Sequence, residues 1–326
     1  MSAATDSHLR IALVQLRPLD GDKERNLAAA GAAVAAAARA GARLVVLPEY
    51  VLTGFPAERM RELAEPLRGP SLAAFRRLAA ESGVCLVANL PRLSDPADAR
   101  HGAAAGGAVH DATHGANHDA DRGAIHGAAR DATHDATHDA THGATHDAAA
   151  DATHDATAIF DTTVVLAPDG ELLTAYDKTH LFDREKVLFT PGAALEPPFV
   201  FGGVRFGVLC CFDIELPEPA RTLALRGAQC LLVPSANMKP WGEHHRAYVR
   251  SRALENHAFV AYANAVGAAS GYVFEGGSCL VDPLGRVLCD AGHDETVVWA
   301  DVDLAIADAS RGVGDYLSER RPELYD

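Results

Sequence analysis

Short apolar runs and amphipathic segments alternate through the N-terminal part of the chain. Residues 11–16 and 44–47 are almost entirely apolar, and the second run stops at Pro48, which is typical of buried strands. The alanine-rich segment 26–40 ends before Gly41, a residue suited to a left-handed C-cap, so we predict a helix there. A helix at 71–82 and a strand at 84–89 continue the alternation. This order of elements predicts an α/β layer fold.

The same alternation returns in the C-terminal half. Residues 163–170 and 171–176 predict a hairpin whose turn contains Asp169 and Gly170. Buried strands are predicted at 206–211, 230–234 and 258–263, with helices at 218–226 and 245–255, and a second hairpin spans 278–288. The repeated pattern of strands and helices favours a layered sandwich.

Between these halves lies a segment of a different kind. Residues 94–157 contain five copies of Asp-Ala-Thr-His and ten of the sixteen histidines. Regularly spaced histidines could bind Ni²⁺ or Zn²⁺, but the segment has too few large apolar side chains to offset the entropy of ordering it. We therefore predict a disordered low-complexity loop that interrupts a single domain spanning residues 8–326.

Charge and composition exclude several classes of protein. The chain of 326 residues has a formal net charge of −15 and no basic stripe, so nucleic acid is not an expected partner. It contains neither a signal-like apolar core near the N-terminus nor an apolar run long enough to span a bilayer, so we expect a cytoplasmic protein without a membrane partner. The six cysteines are scattered through apolar, strand-like segments and are not spaced as a disulfide framework, which predicts reduced thiols. They form no CxxC pair, which predicts no structural zinc site of the usual cysteine type and no metal.

A cysteine at a predicted strand end is the first candidate for chemistry. Cys211 ends an apolar strand and precedes a turn and a helix, where backbone N–H groups can lower a thiol pKa and hold an oxyanion. The alternative is a small buried thiol, which fits Cys85, Cys210 and Cys230 better. Alternation along the strand predicts that Cys210 faces away from Cys211.

Glu49 and Lys178 are candidates to assist such a thiol. Glu49 follows Pro48 at the end of a buried strand, where partial desolvation raises a carboxyl pKa towards the range of a general base. Lys178 directly follows the hairpin strand, and a fixed ammonium there would stabilise an oxyanion. Taken singly, each could be an ordinary solvated residue, so the hypothesis depends on the three occurring together.

The order of these motifs resembles the nitrilase superfamily of carbon–nitrogen hydrolases. The glutamate, lysine and nucleophile motifs of that family are similar to Leu47-Pro-Glu-Tyr50, Tyr176-Asp-Lys-Thr-His-Leu-Phe182 and Cys211-Phe-Asp-Ile-Glu-Leu-Pro-Glu218. Later blocks are matched by Pro234-Ser-Ala-Asn-Met238, Arg250-Ser-Arg-Ala-Leu-Glu-Asn256, Tyr262-Ala-Asn264 and Gly276-Gly-Ser278. The resemblance implies a four-layer α-β-β-α sandwich with a Glu-Lys-Cys triad, and it implies no metal or other cofactor.

By this resemblance, Glu49 takes the proton of Cys211 as the sulfur attacks an amide carbon. Lys178 and the backbone N–H of Phe212 hold the oxyanion, ammonia leaves, and Glu49 then activates a water against the thioester.

The family often has a second glutamate that orients the lysine, located shortly before a Phe-x-x-Gly element. Here that element is Phe189-Thr-Pro-Gly192. It points to Glu185 as a fourth catalytic residue, with Asp183 as the competitor.

The residues after the cysteine look like the amidase branch, including bacterial enzymes of the 5-aminopentanamidase type. The expected substrate is a small aliphatic or ω-amino carboxamide, with Asn237 and Glu215 as substrate-binding residues and Glu243 as another candidate for a substrate amine. An N-carbamoyl amine or amino-acid hydrolase, a nitrilase with the same triad and a non-catalytic His-rich metal-binding protein are the alternatives. The resemblance also implies a homodimer or larger homo-oligomer.

Overall fold

The computed structural model describes residues 8–95, 158–312 and 314–325. The strands are β1 (His8–Gln15), β2 (Leu44–Val46), β3 (Cys85–Leu93), β4 (Ile159–Leu166), β5 (Leu172–Asp177), β6 (Phe199–Phe201), β7 (Val204–Val208), β8 (Cys230–Ser235), β9 (Phe259–Asn264), β10 (Val266–Ala269), β11 (Tyr272–Glu275), β12 (Cys279–Val281), β13 (Val287–Asp290) and β14 (Thr296–Asp303). The α-helices are α1 (Lys23–Arg39), α2 (Met60–Leu63), α3 (Pro70–Ser82), α4 (Glu185–Leu188), α5 (Pro217–Leu225), α6 (Gly242–Asn256) and α7 (Leu304–Arg311).

Two mixed sheets of six strands carry the fold. The first has the order β14-β1-β2-β3-β4-β5, in which β1, β2 and β3 are parallel. The second has the order β13-β12-β9-β8-β7-β6, in which β7, β8 and β9 are parallel. The flanking strands of both sheets pair antiparallel. Both sheets therefore have a parallel centre and antiparallel edges.

Apolar side chains on the two faces of each sheet build separate cores. The core between the sheets includes Leu13, Val46, Phe206 and Leu232. Helices α1 and α3 pack on the first sheet through a second core, and α5 and α6 pack on the second sheet through a third; these cores include Val34, Phe75, Leu86, Leu223, Val249 and Val260. The layers are therefore helix, sheet, sheet, helix, which confirms the expected sandwich.

The observed elements depart from the predicted ones mainly at edges and ends. β7 ends at Val208, and the chain enters a 3₁₀ helix at Cys211–Ile214 instead of continuing the strand to Cys211. β14 and α7 were not predicted from the apolar pattern. Only the antiparallel pairing with β1 defines β14, because its own side chains are mostly half-buried or exposed.

The histidine-rich repeat lies outside the described residues, which resume at residue 158. Its disorder, its metal binding and the boundaries of the interrupted domain stay predictions. In the described ranges, no helix is both long enough and apolar enough to cross a membrane.

Candidate active site

The predicted site residues come together where strands of both sheets end. Glu49 follows β2, Lys178 follows β5 and Cys211 follows β7. The backbone N–H of Glu49 donates to the carbonyl of Ser235 at the end of β8, at 3.2 Å, which joins the two sheets at this point. The carboxyl ends of the parallel strands β2, β7 and β8 and of the edge strand β5 therefore form one site, as strand ends commonly do in α/β folds.

Three non-glycine residues of this site have a left-handed backbone. Tyr50 has φ of 52°, Asp183 of 43° and Cys211 of 44°. Such conformations cost free energy and persist where the surrounding structure fixes them, and they concentrate at functional sites. Cys211 thus lies on a sharp turn between a buried strand and a short helix.

Asp213 holds this turn in place. Its carboxylate accepts the backbone N–H of Cys210 at 2.9 Å and the hydroxyl of Tyr176 at 2.7 Å. It also accepts the backbone N–H of His180 at 3.1 Å. One buried carboxylate therefore connects the cysteine turn to the segment that carries Lys178.

The two adjacent cysteines occupy different environments. Cys210 is fully buried in the core between the sheets, whereas Cys211 is partly exposed and lines a cavity. The Sγ of Cys210 lies 3.1 Å from Oε1 of Glu49, and the Sγ of Cys211 lies 3.3 Å from Oγ of Ser235. Only Cys211 can meet a ligand in the cavity.

Lys178 is fully buried among three carboxylates. Its Nζ donates to Oε1 of Glu49 at 2.8 Å and to both carboxylate oxygens of Glu185, at 2.9 and 2.8 Å. Oδ2 of Asp161 is 3.5 Å from the same nitrogen. Glu185, rather than Asp183, contacts the lysine, and the ammonium bridges the two glutamates.

The sequence did not single out Asp161, the third carboxylate. It is fully buried on β4, accepts from Nδ2 of Asn89 at 2.6 Å and accepts the hydroxyl of Tyr50 at 2.9 Å. The same hydroxyl lies 3.1 Å from Oε1 of Glu185. A charged residue inside the apolar run 159–166 was the available signal, because a buried charge needs a partner.

Burial and neighbouring charges shift the pKa values of this cluster. Burial raises the pKa of Glu49 well above 4.5; Lys178 opposes the rise, and the charges of Asp161 and Glu185 add to it. Burial lowers the pKa of Lys178, but Glu185 and Glu49 outweigh it, so this pKa stands well above its ordinary value. The lysine therefore stays an ammonium, while Glu49 binds a proton more readily than a solvated glutamate does.

Position 192 requires a glycine because the backbone there passes very close to the backbone of Asp177 and Lys178. A Cβ there would lie 2.0 Å from the carbonyl oxygen of Asp177, the residue before Lys178. The N–H of Gly192 donates to the carbonyl of Lys178 at 2.9 Å. The Phe-x-x-Gly element thus holds the backbone of Lys178.

A cavity of about 170 Å³ opens onto Cys211, Glu49 and Glu185. Its walls are mainly apolar and aromatic, formed by Tyr50, Phe55, Phe182, Phe212, Ala236, Met238, Trp241, Tyr272 and Phe274. Its polar lining comes from Asp183, Arg184, Glu215, Asn237 and His245. An apolar cavity of about 150 Å³ can hold a benzene molecule, so this one suits a small organic molecule.

The predicted substrate-binding residues are only partly brought together. Phe212, Asn237 and Glu215 line the cavity. Glu243 is exposed and lines neighbouring depressions on the surface instead. The N–H of Phe212 is in the first turn of a 3₁₀ helix, where N–H groups have no intrahelical acceptor, so it is available to an oxyanion.

Side-chain atoms of Glu49, Asp161 and Cys210 lie within 4.8 Å of one another, a spacing that metal ligands also have. The ammonium of Lys178 lies 2.8 Å from Glu49 and 3.5 Å from Asp161. It already supplies the positive charge that these carboxylates require.

A thiol on a strained turn lines the same cavity as two glutamates that a buried ammonium bridges, an arrangement that a hydrolase with a thiol nucleophile requires. The family model described as carbon-nitrogen hydrolase matches residues 10–104 and 138–311. The chain belongs to this carbon–nitrogen hydrolase family.

Individual relatives agree with this assignment. An (R)-stereoselective amidase of Pseudomonas sp is 32% identical over 96% of this chain and 92% of its own length. The omega-amidase NIT2 of Homo sapiens is 28% identical over 97% of this chain and 96% of its own length.

The solved structures that resemble the chain include amidases of the nitrilase superfamily. A double mutant of the amidase from Nesterenkonia sp. AN1, in complex with acrylamide, superposes with a TM-score of 0.72 at 26% identity, covering 100% of this chain and 98% of that one. Another mutant of that amidase, also with a TM-score of 0.72 at 26% identity, carries the acetamide moiety of fluoroacetamide on its active-site cysteine; here 100% of this chain and 98% of that one are covered.

Proposed function

We propose that the chain is an amidase that hydrolyses small carboxamides to the carboxylic acid and ammonia through a thioester on Cys211. One observation carries this proposal. Cys211 lies on a strained turn and lines the same cavity as Glu49 and Glu185, the two glutamates that the buried ammonium of Lys178 bridges. A nucleophile and a base therefore line one small apolar cavity, and a buried cation lies directly behind them in contact with both glutamates.

In the first half of the reaction, the sulfur of Cys211 bonds to the amide carbon and its proton passes to Glu49. The oxyanion receives hydrogen bonds from Lys178 and from the N–H of Phe212. The C–N bond then breaks, and the nitrogen takes the proton from Glu49 and leaves as ammonia.

In the second half, a water oxygen bonds to the thioester carbon and gives its proton to Glu49. The C–S bond breaks, the sulfur recovers that proton and the carboxylic acid leaves. Glu185 touches no reacting atom; it positions Lys178 by accepting two of its hydrogen bonds.

The cavity lining favours an apolar acyl group, with or without an amine. Arg184 and His245 are the basic residues of this lining in the part of the chain described, and both face carboxylates: Arg184 donates to Glu58 at 3.0 Å and His245 lies 2.7 Å from Glu215. A second carboxylate on the substrate would thus find no unpaired cation, whereas an amine can approach Glu215 or Asp183.

This lining predicts a substrate order. In an ammonia-release assay, we expect kcat/KM for butanamide and for an ω-amino amide to exceed that for the monoamide of a dicarboxylate by at least about tenfold, since an unpaired buried charge costs more than about 1.4 kcal/mol. Nitriles and N-carbamoyl amines complete the panel, with Cys211→Ala as the blank. Preferred turnover of a nitrile or a carbamoyl amine, or of the dicarboxylate monoamide, would contradict the proposal.

The raised pKa of Glu49 predicts where activity is lost in acid. Glu49 must be ionised to accept a proton, and its pKa lies well above 4.5. We therefore expect kcat/KM to fall as the pH decreases through this raised pKa. Asp161→Asn removes a neighbouring negative charge that raises this pKa, so the acid limb is expected to move to lower pH by about one unit. The measurement is the pH profile of kcat/KM.

The control for Asp161→Asn is Asp169→Asn, which removes one charge from the exposed turn after β4. It is expected to leave the limb in place. An acid limb of Asp161→Asn that stays at the wild-type position, or moves to higher pH, would contradict the assignment of Glu49 as the base.

We also propose that the enzyme acts in the cytoplasm as a homodimer or larger homo-oligomer. Such an assembly could cover exposed apolar side chains on the outer helices, such as Leu225 at the end of α5, 50% exposed, and Leu254 near the end of α6, 40% exposed. Light scattering of the purified chain measures the mass directly.

A further inference from the structure

A row of hydrogen-bonded side chains leads away from the sulfur of Cys211 and returns to the same cavity. Oγ of Ser235 is 3.3 Å from Sγ of Cys211 and 3.1 Å from the hydroxyl of Tyr262. That hydroxyl is 3.0 Å from Nδ1 of His245, and Nε2 of His245 is 2.7 Å from Oε1 of Glu215. The mechanism above uses none of the three middle residues.

The middle of this row is shielded from solvent. Ser235 is fully buried, and Tyr262 and His245 are each 3% exposed. The two ends, Cys211 and Glu215, line the cavity. Buried polar groups need partners, and here each one finds them in the next member of the row.

The direction of the hydrogen bonds along this row decides whether the hydroxyl of Ser235 donates to the sulfur of Cys211. Ser235 and Tyr262 each carry a single hydroxyl proton. If His245 has a proton only on Nε2, facing Glu215, then Nδ1 accepts from Tyr262 and Tyr262 accepts from Ser235. The proton of Ser235 then points away from Cys211.

The opposite direction needs one more proton on the pair of His245 and Glu215. Nδ1–H then donates to Tyr262, Tyr262 donates to Ser235, and Ser235 donates to the sulfur. Such a bond stabilises a thiolate more than a thiol, because hydrogen bonds to ions are the stronger ones. Burial first and Glu49 next raise the pKa of the Cys211 thiol well above its ordinary value, so a donor that favours the thiolate opposes this rise, as Lys178 does.

We propose that Ser235 is a positioning residue that donates a hydrogen bond to the Cys211 thiolate, and that Tyr262, His245 and Glu215 set its direction. The inference rests on the proposed role of Cys211 as the nucleophile. It gives the sulfur a stabilising hydrogen-bond donor in addition to the Glu-Lys-Glu cluster, from a fully buried side chain that does not line the cavity.

The other charged groups around His245 are engaged elsewhere. Arg246 donates to Asp290 at 2.7 Å, and the carboxylate of Glu275 accepts the N–H of Gly242 at 2.7 Å. Nδ1 of His293 lies 2.7 Å from the backbone carbonyl oxygen of Glu275, and Glu243 is exposed. Nη2 of Arg252 donates to the backbone carbonyl of Glu215. Within the described ranges, the carboxylate at hydrogen-bond distance from the imidazole is that of Glu215.

The test is the rate at which iodoacetamide alkylates Cys211, followed by peptide mass mapping across pH, because the thiolate is the reacting form. Ser235→Ala is expected to raise the apparent pKa of alkylation and to slow the reaction about tenfold at neutral pH. The reason is that the thiolate loses one hydrogen bond, and a hydrogen bond to an ion has about this effect. Tyr262→Phe is expected to act in the same direction.

The matched control is Tyr248→Phe. The ring of Tyr248 also packs against His245, with centroids 6.4 Å apart, but its hydroxyl is not part of the row. This variant is expected to keep the wild-type alkylation profile. In turnover assays, Ser235→Ala and Tyr262→Phe are expected to lower kcat and leave KM unchanged, since neither removes a cavity wall.

A double-mutant cycle separates a connected row from two independent packing effects. If Tyr262 acts through Ser235, the variant with both substitutions alkylates as slowly as Ser235→Ala alone. A wild-type profile for Ser235→Ala, or additive effects of the two substitutions, would overturn the inference. Alkylation needs no turnover, so this result is independent of the amidase proposal, which fails instead if Cys211→Ala still releases ammonia.

Discussion

Replacing Cys211 with alanine is expected to abolish ammonia release and the covalent thioester, whereas Cys210→Ala keeps both. The sulfur of Cys211 faces the cavity, while that of Cys210 is fully buried between the sheets. Without the thiol no thioester forms, and a nucleophile acting with its base commonly accounts for about 10⁶ in kcat. Intact-protein mass after mixing with substrate or fluoroacetamide measures the covalent adduct, and ammonia release measures turnover.

Two other variants make this comparison sharper. Cys230→Ala removes a thiol of the same kind from the core and is expected to behave like the wild type apart from some loss of stability. Cys210→Ala removes the sulfur that lies 3.1 Å from Glu49, so a moderate fall in rate is expected, but the adduct still forms. An adduct that survives in Cys211→Ala and disappears in Cys210→Ala would exchange the roles of the two residues.

Lys178→Ala is expected to lose turnover by at least about 10²–10³, the usual cost of removing a preorganised oxyanion donor. It also leaves Glu49, Glu185 and Asp161 buried without a cation. Removing one partner of a buried ion pair costs roughly 3–5 kcal/mol of folding free energy. Ammonia release measures the first effect, and urea unfolding measures the second.

The stability loss in Lys178→Ala has a predicted pH dependence. Carboxylates without a cation hold protons to higher pH in the folded state than in the unfolded chain, so the variant loses stability as pH rises above the ordinary carboxyl range. The difference from the wild type is therefore expected to shrink in acid.

Two further variants keep the role of Lys178 testable. Lys178→Gln retains most of the side-chain volume and an amide NH₂ as a hydrogen-bond donor, but it has no charge. This variant replaces Lys178→Ala in the activity assay if Lys178→Ala does not fold. Lys186→Ala removes an exposed lysine from α4 and is expected to change neither property. Near-wild-type ammonia release by a folded Lys178 variant would refute the assigned role.

The central strands could be predicted from sequence because they are buried on both faces. Runs such as 44–47 and 230–234 are continuously apolar, and the structure places β2 and β8 there. β14 could not be predicted in the same way. The side chains of β14 are mostly half-buried or exposed, so they form no apolar run. Its conformation depends on hydrogen bonds to β1, which lies at the other end of the chain.

The sequence by itself determined the family-like motifs and the ends of the central strands, and with them Glu49, Lys178, Cys211 and Glu185 as candidates. Glu49, Lys178 and Cys211 follow from local patterns, because a polar residue that ends an apolar run is expected at the end of a strand, whereas Glu185 followed from the resemblance and its Phe-x-x-Gly element. The glycine of the Phe-x-x-Gly element was also visible, although its close approach to Asp177 was not.

Only the tertiary structure decided which groups touch. It placed Asp161 beside Lys178, and it connected Cys211 to Glu215 through three buried side chains. It also showed that a left-handed turn at Cys211, beyond the end of β7, separates this residue from the buried Cys210. The reason is physical: these contacts join strands of two facing sheets and residues far apart in the chain. Their distances depend on how the layers pack, which no local pattern of apolar and polar residues records.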